Sequence, residues 1–83
     1  MNPVKIRWLD SYGVSTGWQD LEGYQANKLE IESYGVIIYE DDTVIALAHN
    51  YAEETDQTPK QANGIMVIPK ACILNITSLT SSC

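Results

Sequence analysis

The stretch LEIESYGVIIYEDDTVIALAHNY, residues 29–51, constrains this chain more than any other. It holds two runs rich in β-branched and aromatic residues, broken by Glu40, Asp41, Asp42 and Thr43, an acidic cluster that reads as a tight reversal. The pattern predicts a long antiparallel hairpin. Two strands alone are marginal in water, so the flanking segments must add strands that cover its apolar face.

The flanks supply them. Residues 4–9 alternate, with Val4, Ile6 and Trp8 on one side and Lys5 and Arg7 on the other, as in a half-buried first strand. Residues 10–17 are rich in glycine and hydroxyl side chains and are expected to form a loop. Trp18 and Leu21 follow as large apolar anchors, expected to pin that loop against the core. Residues 25–32 contain good helix formers, but helical spacing from Leu29 lands on the polar Glu32 and Ser33, whereas spacing by two gives Leu29 and Ile31 against Glu30 and Glu32. A strand is the better reading, and Glu30 and Glu32 should face Lys5 and Arg7 if the two strands are neighbours. Gly35 interrupts the strand and predicts a bulge or bend. The run of residues 36–39 is apolar on both faces, which predicts cover on both sides, one of them offering a subunit contact.

Residues 52–63 are almost wholly polar and read as an exposed loop. Gly64 then opens a short strand over residues 65–68 that Pro69 ends, Lys70 to Cys72 should make one helical turn, residues 73–79 give the last strand, and residues 80–83 should fray. The expected fold is all-β, a single domain over residues 1–83: a small, strongly bent five-stranded antiparallel barrel with one short helical turn before the last strand. The closing segment GIMVIPKACI, from Gly64 to Ile73, resembles the fourth strand, short turn and fifth strand of Src-homology-3-like and Sm-like barrels.

Eleven acidic against five scattered basic residues give a net charge of −6, which suits neither a nucleic acid polymer nor an anionic membrane. The N-terminal residues show no charged start followed by an apolar run, so an intracellular, cytoplasmic location is the expectation. Cys72 lies in an apolar context and Cys83 ends the sequence, so no disulfide is expected. Asn75-Ile76-Thr77 matches a glycosylation acceptor but falls inside a predicted strand.

No residue set announces a reaction. The single histidine, His49, has no nucleophile at a supporting spacing, and the acidic groups Glu40, Asp41 and Asp42 or Glu53, Glu54 and Asp56 lack the stagger of a calcium loop. Two cysteines and one histidine cannot give zinc four protein ligands. Neither catalysis nor a metal or cofactor is expected. The segment from Asp10 to Trp18 lacks the Gly-Lys-Ser/Thr ending of a phosphate loop, yet its glycine-flanked amides, the hydroxyls of Ser11, Ser15 and Thr16, and the rings of Tyr12 and Trp18 can receive a phosphate and stack on a base. A second candidate edge is His49, Asn50 and Tyr51 with Asn63, where Lys60 or Arg7 can balance a phosphate.

Trp8-Leu9-Asp10-Ser11, Gly17-Trp18, Glu32-Ser33-Tyr34-Gly35, Glu40-Asp41-Asp42 and Ile68-Pro69-Lys70 together resemble small uncharacterised proteins of bacteriophages and prophages. The resemblance implies an accessory protein in a bacterial cytoplasm acting against host defence. By analogy with small phage oligomers that sequester nucleotide-derived immune signals, the expectation is a non-catalytic, homo-oligomeric binding protein for such a molecule. The alternative is an adaptor or inhibitor that grips a host or phage protein through its loops or a strand edge.

Overall fold

The computed structural model describes residues 2–10, 17–26 and 28–79. They form one open, five-stranded antiparallel sheet: β1 (Pro3–Asp10), β2 (Leu29–Glu40), β3 (Val44–Ala52), β4 (Gln61–Pro69) and β5 (Ile73–Ser78), with a single 3₁₀ turn, Lys70–Cys72, before β5. The order across the sheet is β4-β3-β2-β1-β5.

Alternation places Val4, Ile6 and Trp8 of β1 on the core side, where Ile6 is fully buried. Lys5 and Arg7 point the other way and meet β2 as the charges required, Arg7 with Glu30 at 2.8 Å and Lys5 with Glu32 at 3.7 Å. The residues directly opposite are Tyr34 for Lys5 and Glu32 for Arg7, so both ion pairs run diagonally. Being exposed, they fix register more than they stabilise.

β2 serves two partners. Its first part, through Val36, pairs with β1, and from Val36 onward it pairs with β3, so that Val36 lies opposite both Pro3 and Ala48. The irregularity in the ladder is not at Gly35 but between Ile37 and Tyr39, where the extra residue Ile38 shifts the register. Gly35 has another cause. A Cβ there would collide with the Ala48 carbonyl oxygen and lie 3.2 Å from Leu47 Cγ, so β3 can cross β2 this closely only over a residue with no side chain.

The reversal after β2 is built by Asp41. Its Oδ1 accepts hydrogen bonds from the Thr43 amide (2.8 Å), the Thr43 hydroxyl (2.9 Å) and the Val44 amide (2.9 Å), and Tyr39 donates its hydroxyl to Oδ2 (2.8 Å). These donors, the two backbone amides first, hold the carboxyl well below the ordinary carboxylate range. Lys70 closes the same corner from the 3₁₀ turn, its amide donating to the Thr43 carbonyl (2.8 Å) and its ammonium pairing with Glu40 (2.8 Å).

The core is Ile6, Ile45, Leu47 and Ile68, flanked by half-buried Val4, Trp8, Ile37, Met66 and Ile73. Among the described residues Ser33 is the buried polar one, and it is satisfied on both sides: Trp8 Nε1 donates to its oxygen at 3.0 Å and its hydroxyl points at Met66 Sδ at 3.8 Å.

Three expectations are corrected. Trp18 and Leu21 do not anchor against the core: Trp18 is 102 % exposed, and Leu21 is exposed with it. Residues of all five strands already line the core, and the segment instead turns on itself, with Asp20 accepting the Glu22 amide (3.1 Å), Tyr24 donating to the Leu21 carbonyl (3.2 Å) and Gly23 at φ 76°. The predicted loop over residues 52–63 is shorter, because Asn50, Tyr51 and Ala52 pair with Asn63, Ala62 and Gln61 and extend the hairpin. The outer side of residues 36–39 is also less covered by the chain itself than expected: Val36 and Ile38 are half-buried, but Tyr39 is exposed, opposite Ala46 of β3.

The result is elongated. Extents of 62 × 29 × 21 Å and a radius of gyration of 17.5 Å contrast with roughly 12 Å for a compact chain of this length.

Candidate ligand groove on the outer hairpin arm

Beyond Val36↔Ala48 the β2–β3 ladder ends, β2 continues along β1, and β3 continues along β4 as a projecting arm. Gly64 marks the departure. Its φ of 67° is open to glycine, and a side chain there would press on His49 Cβ at 3.3 Å. His49 spans the gap the ladder leaves, with Nδ1 2.8 Å from the Tyr34 carbonyl oxygen. A carbonyl only accepts, so Nδ1 carries the proton, and in the neutral ring Nε2 is left as the acceptor. His49 therefore ties β3 back to β2.

On the arm, Asn50 Nδ2 donates to Asn63 Oδ1 at 2.8 Å across the paired strands. This locks both amides and leaves Asn50 Oδ1 as an acceptor beside Asn63 Nδ2 as a donor. Tyr51 is half-buried, and its hydroxyl, bonded to Glu53, titrates above the ordinary phenol value. Two shallow grooves both count Tyr51 among their lining residues. One, of about 180 Å³, is lined by Asn50, Tyr51, Ala52, Gln61, Ala62 and Asn63; the other, of about 260 Å³, by Ile38, Tyr51, Lys60, Gln61 and Ala62. The tip is closed by Thr55 and Thr58, joined through backbone (2.9 Å) and hydroxyls (2.7 Å).

Of the residues singled out in the sequence, Asn50, Tyr51 and Asn63 meet in one groove, while His49 holds the arm's base and lines neither groove. Trp18 stands on its own exposed segment and also lines neither. Ser11, Tyr12, Ser15 and Thr16 lie outside the described residues. Sequence reasoning missed Ala52, Gln61, Ala62 and Ile38. The mirrored amides Asn50 and Asn63 were the available signal that the polar segment pairs with β3, which would have brought Gln61 and Ala62 opposite Ala52 and Tyr51.

Among the described residues no three of His, Cys, Asp and Glu converge in a way that could hold a metal ion, and no helix is long and apolar enough to cross a membrane. Cys72, half-buried in the 3₁₀ turn, is a free thiol. Comparison with known proteins gives no family model, no curated protein and no solved structure that matches the chain.

Proposed function

We propose that this chain is a non-catalytic binding protein that holds a small nucleotide-derived molecule on the β3–β4 arm and acts as a homo-oligomer. In a phage setting it would sequester an immune signal in the host cytoplasm. The observation that carries the reading is the Asn50–Asn63 pair in a groove that Tyr51 also lines: a fixed acceptor and donor suit the polar edge of a base. Lys60 lines the neighbouring groove and can meet one phosphate oxygen. Retention without turnover agrees with His49 being occupied by a backbone carbonyl. Ligand sites usually enclose roughly 300–1,000 Å³, more than either groove offers, so a second copy would complete the site. The same reading takes the sheet as a small Src-homology-3-like or Sm-like barrel, supported by the strand order and by β2 exchanging partners midway.

The test is a thermal-shift screen of nucleotides and cyclic nucleotides. A ligand present at a hundredfold its Kd stabilises by about 2.7 kcal/mol, which is a rise of about 10–20 °C for a domain of this size. Tyr51→Ala and Asn63→Ala should each abolish the rise. If no nucleotide moves the transition, the ligand reading fails. The adaptor reading then stands, and it has its own support in Trp18, Leu21 and Tyr24, three exposed apolar side chains on one short segment.

A further inference from the structure

We propose that β4 pairs edge to edge with the β4 of a second copy about a two-fold axis at Met66, joining two sheets into one of ten strands. This deepens the homo-oligomeric reading above by naming the surface.

β4 ends the sheet, and among the described residues no strand lies on its outer side. Proteins usually protect such an edge with charge, above all lysine, because its open amides and carbonyls invite another strand. This one has no charge at all from Gln61 to Pro69. All eleven acidic residues precede Gln57, and after Lys60 only Lys70 is charged, so two copies meeting at β4 bring together the parts of the chain that carry none of its acidic residues. The outer face of the strand is apolar as well, with Ile65 52 % and Val67 59 % exposed beside the buried Ala46 and Ala48.

Register follows from the ends. Gly64, with its φ of 67°, and Pro69, with no amide proton, bound the usable edge to residues 65–68. Keeping Ile65 and Val67 of both copies on one face requires the axis to pass through a residue, and at Met66 it sets Ile65 opposite Val67 of the second copy.

The experiment is light scattering and native mass spectrometry of the full chain at about 100 μM and physiological salt, where repulsion between the acidic portions is screened. The wild type should be a dimer or an even-numbered oligomer containing it. The double variant Ile65→Lys/Val67→Lys, at positions too exposed to unfold the monomer, should halve that mass with the far-ultraviolet spectrum unchanged. Ile76→Lys on the opposite edge strand should leave it intact. Amide exchange at residues 65–68 should slow as protein concentration rises, which distinguishes backbone pairing from packing of faces. A monomeric wild type overturns both self-association and this surface; an oligomer that survives the double lysine variant overturns the surface alone.

Discussion

Replacing Gly35 by alanine separates two explanations of why glycine stands in the middle of the longest strand. Gly35 is not among the glycines with positive φ, so alanine meets no backbone penalty there. Conformational entropy alone predicts that Gly35→Ala stabilises the protein by about 0.4–1 kcal/mol through a less free unfolded chain. Packing predicts the reverse. The new methyl would fall inside the Ala48 carbonyl oxygen, 3.0 Å from its carbon and 3.2 Å from Leu47 Cγ, and neither neighbour can yield easily: Ala48 and Leu47 are fully buried, and Ala48 is paired on both sides, with Val36 and Ile65. Overpacking of a tight core typically destabilises by about 1–3 kcal/mol. The upper part of that range is expected, because the atom struck is backbone in a central strand. For a domain of this size about 2–3 kcal/mol lowers Tm by about 10–20 °C, a large share of a total stability of roughly 4–12 kcal/mol. Urea titration followed by circular dichroism measures it directly. A Gly35→Ala variant at or above wild-type stability would refute the argument that close crossing of β2 and β3 selects the glycine.

Three further outcomes follow from the geometry. Ser33→Ala removes the acceptor of the partly buried Trp8 Nε1 and should cost about 1–3 kcal/mol in urea titration; Ser33→Thr, which keeps the hydroxyl, should recover part of that. The Asp41 carboxyl titrates below its unfolded value, so its contribution is present above about pH 4 and is lost as pH falls toward the folded-state value. Acid titration of Asp41→Ala should show a weaker loss of stability below pH 4 than the wild type, and parallel acid limbs would count against the turn. Trp18→Ala should leave stability within about 0.5 kcal/mol of wild type, as judged by thermal melting, because the ring touches no core; a large loss would place it in the fold after all.

The strands were legible because they obey a period of two. Val4, Ile6 and Trp8 against Lys5 and Arg7 give both the buried face of β1 and its charge partners on β2, and Pro69 gives the point where β4 must stop. What escaped shows only when two distant segments are read together. The pairing of Gln61, Ala62 and Asn63 depends on backbone bonds that polar residues make as well as apolar ones. The exposure of Trp18 could not be read from its type, since a large ring marks a core only when the core has room for it. The arm was half visible. Asn50, Tyr51 and Asn63 stood out as polar and aromatic residues at the ends of apolar runs, but the role of Ile38 depends on a shift of register that arises only when β2 meets β3.

One strand belongs to both halves of this sheet. A chain whose two ladders were carried by separate strands could come apart along the seam, with one half melting while the other stayed folded. Here the seam runs through the middle of β2, at Val36, a residue held on either side. Losing one ladder frees half of the strand that holds the other, so the stability of each half of the sheet is coupled to that of its neighbour.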